Sequence, residues 1–153
     1  GALCTVVLVG SCSKDKRAQE EQAQRHANLQ AAYDAVAAVQ RATKAGVAYD
    51  DYAKLVPTAS AALLAYEAPD EKARDVIEHL SAAVYAYQTA TRAWATQYDE
   101  CQDCAWRKFV NAHPQFALED ADPEYAVVTL WNQALADMNA AAEGLAAYPS
   151  GRK

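Results

Sequence analysis

The chain is predicted to be all-α, an antiparallel up-down four-helix bundle with an extended N-terminal helix and an irregular segment between its third and fourth helices. Three observations predict it. Apolar residues recur at three- and four-residue steps in four separate stretches, the spacing of one helix face. Strand-like alternation is missing after residue 12. Alanine runs through all four stretches, and such small residues let helices approach closely while aromatic rings fill the gaps opposite them. At 153 residues with 52% hydrophobic content, the chain has material for one domain with a proper core, and neither a linker nor a repeat divides it.

The elements follow in order. Residues 13–25 are charged and Gln-rich with alanine as their only apolar residue, so they can be helical but have no face to bury, and they predict a polar stalk. From His26 the pattern changes. Leu29, Tyr33, Val36, Val39 and Thr43 mark an amphipathic face that ends at Gly46, a C-terminal stop signal. A helix over residues 15–45 is about 45 Å long. A second helix starts near Tyr49 with Asp50 and Asp51 in its first turn, where carboxylates suit the helix dipole. Its stripe is Tyr52, Leu55, Val56, Ala59, Leu63 and Tyr66, with a kink or break expected at Val56 because Pro57 removes a backbone donor and clashes with the preceding turn.

The third helix has Pro69, Asp70 and Glu71 in its first turn, then Ile77, Leu80, Val84, Tyr87, Thr91, Trp94 and Tyr98 in a near-heptad rhythm. Residues 100–121 read as irregular. The fourth helix opens on Asp122 as N-cap with Pro123 behind it, and its stripe is Val128, Trp131, Leu135, Met138, Ala142 and Leu145. The bundle domain thus spans residues 26–148, and residues 149–153 form a C-terminal tail.

Residues 1–12 are uncharged and mostly apolar, and end in Val9-Gly10-Ser11-Cys12, after which the chain turns abruptly polar at Ser13 to Arg17. A membrane span needs about 20 apolar residues, so this run has the length of a signal-peptide core instead. Val9-Gly10-Ser11-Cys12 resembles the bacterial lipobox, an aliphatic residue and two small residues before a cysteine. That resemblance implies a signal-peptide remnant over residues 1–12, cleavage before Cys12, and a lipid such as palmitate on Cys12 as the membrane anchor. It also implies a place in the bacterial envelope. Ser13 follows the cysteine where an Asp would favour the inner membrane, so in a diderm the expected location is the periplasmic face of the outer membrane.

Cleavage at that point discards Cys4 and lipidates Cys12, leaving Cys101 and Cys104 as a pair in an oxidising compartment. Cys101-Gln102-Asp103-Cys104 is expected to be a structural disulfide. A zinc site normally takes four ligands, and only His113 and nearby carboxylates are on hand. Thiol exchange needs an exposed helix N-terminus that lowers a thiol pKa, ideally after a strand, and Ala105 stands where covalent haem attachment would place a histidine. The acidic run from Glu119 to Glu124 lacks the glycine and distal glutamate of a calcium loop and is explained by helix capping.

The net charge of −6 falls after Ser13, which argues against nucleic acid, since a phosphate backbone calls for a basic face. Lys14, Lys16 and Arg17 are diluted by Asp15, Glu20 and Glu21 and read as a solvated linker. His26, His79 and His113 share no ligand spacing, and no glycine-flanked nucleophile or phosphate loop occurs. No catalytic residue, metal or cofactor is therefore expected.

Trp106, Arg107, Lys108, Phe109 and Phe116 fall in the irregular segment, and an exposed surface of this kind is what partner proteins use as an anchor. Large apolar groups also hold a loop down on a bundle end, and both readings stand. The expected function is a membrane-anchored envelope lipoprotein with a helical binding or adaptor domain for an unknown envelope protein. Alternatives are a secretion pilotin-like lipoprotein, by analogy of architecture alone, and a CxxC thiol-disulfide oxidoreductase.

Overall fold

The computed structural model describes residues 9–151. Five α-helices follow in order: α1 (Val9–Ala45), α2 (Tyr49–Leu64), α3 (Glu71–Ala95), α4 (Gln102–Ala112) and α5 (Pro123–Ala147), with short 3-10 turns at Thr96–Tyr98 and Pro114–Phe116. No strand occurs among the described residues. Residues 1–8 of the expected leader, Cys4 included, and residues 152–153 of the tail lie outside the described residues.

Helices α1, α2, α3 and α5 form the antiparallel bundle, each packed on its neighbours around the ring, with the most extensive interface between α3 and α5. Direction is fixed by contacts at one end. Near the start of α3, Val76 lies against Gly144 near the end of α5, so close that a Cβ on Gly144 would stand 2.8 Å from a Val76 methyl. At the same end, the Tyr148 hydroxyl donates to Asp70 at 2.8 Å, and the Gln22 amide donates to the Pro149 carbonyl at 2.8 Å. The core is drawn from all four helices, with Leu29, Val36 and Val39 of α1, Tyr52, Val56 and Leu63 of α2, Leu80, Val84 and Tyr87 of α3, and Leu130, Met138 and Leu145 of α5 all buried.

Helix α1 begins earlier than its apolar pattern predicts, because Ser13 to Arg25 is rich in strong helix formers and contains no Gly or Pro. Cys12 to Glu21 are exposed throughout, and packing starts at Gln22 and Ala23. There the tail comes back across the helix. Gly151, at φ +70°, lies so near the backbone of Gln19 and Ala23 that a Cβ would meet it at 2.6 Å and 2.8 Å, which leaves glycine as the residue that fits.

Four expectations are corrected. Of the kink or break expected at Val56, the break does not occur, for helix α2 runs through Pro57: buried Val56 and Ala59 flank the exposed proline, and burial of Tyr52, Val56, Ala59 and Leu63 outweighs the cost of about 3 kcal/mol that an interior proline brings. Pro69 stands outside α3, whose N-cap is Asp70, its carboxylate accepting from the Ala73 backbone N–H at 2.9 Å. In α5 the buried face is Ala126, Val127, Leu130, Ala134, Met138, Ala141 and Leu145. It is turned one residue from the expected stripe over its first half, because alanines seat α5 against α3 and leave Val128 outside, 47% exposed. Finally, the segment expected to be irregular contains the whole of α4.

Candidate partner-binding cleft

The bundle end that carries α4 is where chemistry gathers. At the end of α3, Trp94 and Gln97 face the first turns of α5, and between them lies a cleft of about 370 Å³ lined by Trp94, Gln97, Glu124, Val127, Val128 and Trp131. The opening of α5 is held by its N-cap, the Asp122 carboxylate accepting from the Tyr125 backbone N–H at 2.7 Å, with Pro123 at the first helical position. Such a cap contributes about 1 kcal/mol. A second cleft of about 480 Å³ adjoins the first, sharing Gln97 and Glu124 and reaching under α4 to Asp103 and Trp106.

The cleft wall is a relay of rings. Trp94 and Trp131 meet edge to face at 5.9 Å between centroids, and Tyr52 lies 5.8 Å from Trp94 and 5.5 Å from Trp131. Tyr49 extends the relay outward, 5.6 Å from Trp94 and 5.0 Å from Tyr98. Each such contact adds about 0.5–1.5 kcal/mol beyond its buried area. Hydrogen bonds lock the relay from inside: Trp131 Nε1 donates to the Tyr52 hydroxyl at 3.0 Å, which donates to the Tyr87 carbonyl at 3.0 Å. Burial pushes the Tyr52 phenol well above its ordinary range and Tyr87 up to about 12. Val128 of the lining is exposed, as are Tyr98 and Tyr125, next in sequence to Gln97 and Glu124.

The residues singled out in the sequence fall in different places. Phe109 is 6% exposed and sandwiched, its ring 5.3 Å from Trp106 and 4.4 Å from His113. Trp106 is half-buried with its indole N–H donating to the Ala121 carbonyl at 3.1 Å, and Phe116 is half-buried beside His113 and Tyr85. Phe109 therefore holds α4 down on the bundle and is not an exposed anchor, which corrects that part of the expected partner surface. Burying such a ring contributes about 1.5–3 kcal/mol. Arg107 and Lys108 are exposed.

Cys101 and Cys104 are bonded as a disulfide, with their α-carbons 5.3 Å apart. Cys101 is the N-cap of α4 and Cys104 lies in its first turn, both exposed, and the Asp99 carboxylate accepts from the Cys101 backbone N–H at 3.0 Å. His113 caps the opposite end of α4, about 16 Å along an 11-residue helix, too far to share a metal with the cysteines. Among the described residues no group of three or more His, Cys, Asp or Glu side chains is arranged to hold a metal ion. Cys12 is a free, exposed thiol on the unpacked part of α1. Elsewhere, His79 Nδ1 lies 3.4 Å from Asp137, and His26 stacks on Tyr148 at 6.3 Å.

Trp94, Trp131 and Glu124 were not legible as a site. Both tryptophans fall on apolar stripes and read as core, whereas they are half-buried and face the cleft. The available signal was their position, at the end of one helix and the start of another. No protein-family model matches the chain, and no curated protein or solved structure matches it significantly. No helix among the described residues is long and apolar enough to cross a membrane.

Proposed function

We propose that the protein is an envelope lipoprotein, anchored to the membrane by a lipid on Cys12, whose helical bundle acts as an adaptor that binds a partner protein at the cleft between α3 and α5. The observation that carries the binding reading is the cleft itself, a concave site walled by Trp94 and Trp131 with exposed Val128 in its lining, and with exposed Tyr98 and Tyr125 next in sequence to its lining residues Gln97 and Glu124. Clustered aromatics around a pocket are the anatomy of an interaction hot spot. The anchor reading is supported by Val9-Gly10-Ser11-Cys12 and by the exposed helix that follows it. A secretion pilotin is one class of adaptor that this arrangement accommodates.

The test has two arms. A precursor expressed in bacteria is expected to fractionate with membranes carrying lipid on Cys12, and Cys12→Ser to be soluble or unprocessed; an unmodified Cys12 in membrane fractions overturns the anchor. Cross-linking in the envelope is expected to capture a partner that Val128→Asp loses. Because Val128 is exposed, that variant keeps the fold, and an unchanged cross-link overturns the cleft.

One observation favours a second reading, thiol-disulfide exchange: the cysteine pair is exposed at the N-terminus of α4, where a helix dipole stabilises a thiolate. The neighbouring carboxylates of Asp99, Glu100 and Asp103 act the opposite way, and the structural disulfide is preferred.

A further inference from the structure

We infer that the cleft receives a basic segment of the partner protein, an arginine or lysine side chain lying against the tryptophans with its charge toward Asp103 and Glu124. The inference rests on the reading of the cleft as the partner site and adds the chemistry of what enters it. The chain has three tryptophans, and all three, Trp94, Trp106 and Trp131, line the two adjoining clefts. The ionisable side chains of that lining are Asp103, Asp122 and Glu124, and none is basic, in a chain that carries 14 Lys and Arg residues. Aromatic faces attract cations through their quadrupole, arginine above all because its planar guanidinium also stacks.

The three carboxylates have different parts. Asp122 is engaged in capping α5, which leaves Asp103 and Glu124 to face a ligand. Both are exposed, so their attraction is screened by salt and selects the charge and orientation of the partner more than it adds affinity. Their places in the first turns of α4 and α5 also complement the helix dipoles. That accounts for the acids, and a cation on the ligand complements two linings in which no Lys or Arg appears. Arg107 lines an adjoining groove with Val110 and Glu119 that also takes in Asp103 and Trp106, but it lies outside both cleft linings.

The experiment uses the purified chain and an acetylated Gly-Arg-Gly-Arg-Gly amide as probe. Since every tryptophan lines the site and the probe has no aromatic residue, tryptophan emission reports occupancy directly. Saturable quenching is expected. It should weaken with added salt, be lost for the same peptide with citrulline in place of arginine, and be weakened about fivefold or more in an Asp103→Asn, Glu124→Gln variant. Equal binding of the citrulline peptide overturns the inference while leaving the cleft as a partner site. Binding that the variant leaves undiminished overturns the location, and no quenching by the arginine peptide overturns the inference outright. Failure of the partner-binding reading itself is registered separately, by the Val128→Asp cross-link.

Discussion

Trp131 and Tyr52, on helices α5 and α2, are joined by a hydrogen bond of 3.0 Å from the indole N–H to the phenol oxygen. The same oxygen donates to the Tyr87 carbonyl of α3, so one hydroxyl ties three helices together beneath the cleft. Tyr52→Phe keeps the ring and removes that tie. The Tyr87 carbonyl retains the Thr91 hydroxyl at 3.0 Å, whereas the Trp131 N–H loses its partner. A loss of about 1–2 kcal/mol is expected in urea unfolding, with tryptophan emission altered because Trp131 is freed; unchanged stability and emission would count against the relay.

The close approach of α3 and α5 makes a second prediction. A methyl on Gly144 would stand 2.8 Å from Val76. Gly144→Ala gains up to about 1 kcal/mol of helix propensity, but overpacking costs about 1–3 kcal/mol, so a net destabilisation is expected. Combining it with Val76→Ala should restore part of the loss, because the two sites share one contact. Simple additivity in thermal unfolding would show that the seam is looser than described.

For the disulfide, the closed loop is short, and Cys101→Ser with Cys104→Ser is expected to cost about 2 kcal/mol or less. Phe109, buried in the core, and the Trp106 hydrogen bond to the Ala121 carbonyl keep α4 in place without it, so partner cross-linking should persist. Cys104→Ser alone should trap no mixed disulfides with other proteins. Recovering them would move thiol-disulfide exchange to first place.

Stability should fall at both ends of the pH range. The Ala73 backbone N–H, aided by the Tyr148 hydroxyl and opposed by burial, holds the Asp70 carboxyl below its ordinary value of 3.8. A carboxyl depressed on folding stabilises above its unfolded value, and that contribution is lost as pH falls through the folded one. Asp70→Asn, still a good N-cap, should flatten the acid limb. Burial raises Tyr87 from 10.0 to about 12. Its contribution is complete below pH 10.0 and declines as pH climbs toward about 12, so Tyr87→Phe should flatten the alkaline limb of melting temperature against pH.

The bundle was legible because Leu29, Val36, Tyr52, Leu80 and Tyr87 recur at helical steps and are buried where that spacing puts them. Two features were not. Helix α4 was hidden by the cysteines, charges and proline around it, although Trp106, Phe109 and Val110 carry the i, i+3, i+4 spacing of a helix face. The rotation of α5 was hidden because hydropathy ranks Val128 above Ala126 and Ala134, while close packing against α3 favours the smaller side chains. That same rotation exposes Val128 at the cleft, so the error in register and the missed site have one cause.

The exposed opening of α1 bears on how an acidic domain lives beside a membrane. From Cys12 to Glu21 every residue of the helix is exposed, over a length of about 15 Å. Anionic headgroups project their field over a screening distance of about 8 Å at physiological ionic strength. In the proposed lipidated form, a helix held upright on its acyl chains carries a domain of net charge −6 nearly two screening lengths away, where headgroup repulsion has largely decayed. The anchor then acts as a standoff that leaves the negatively lined cleft free to attract a basic partner in competition with soluble cations alone.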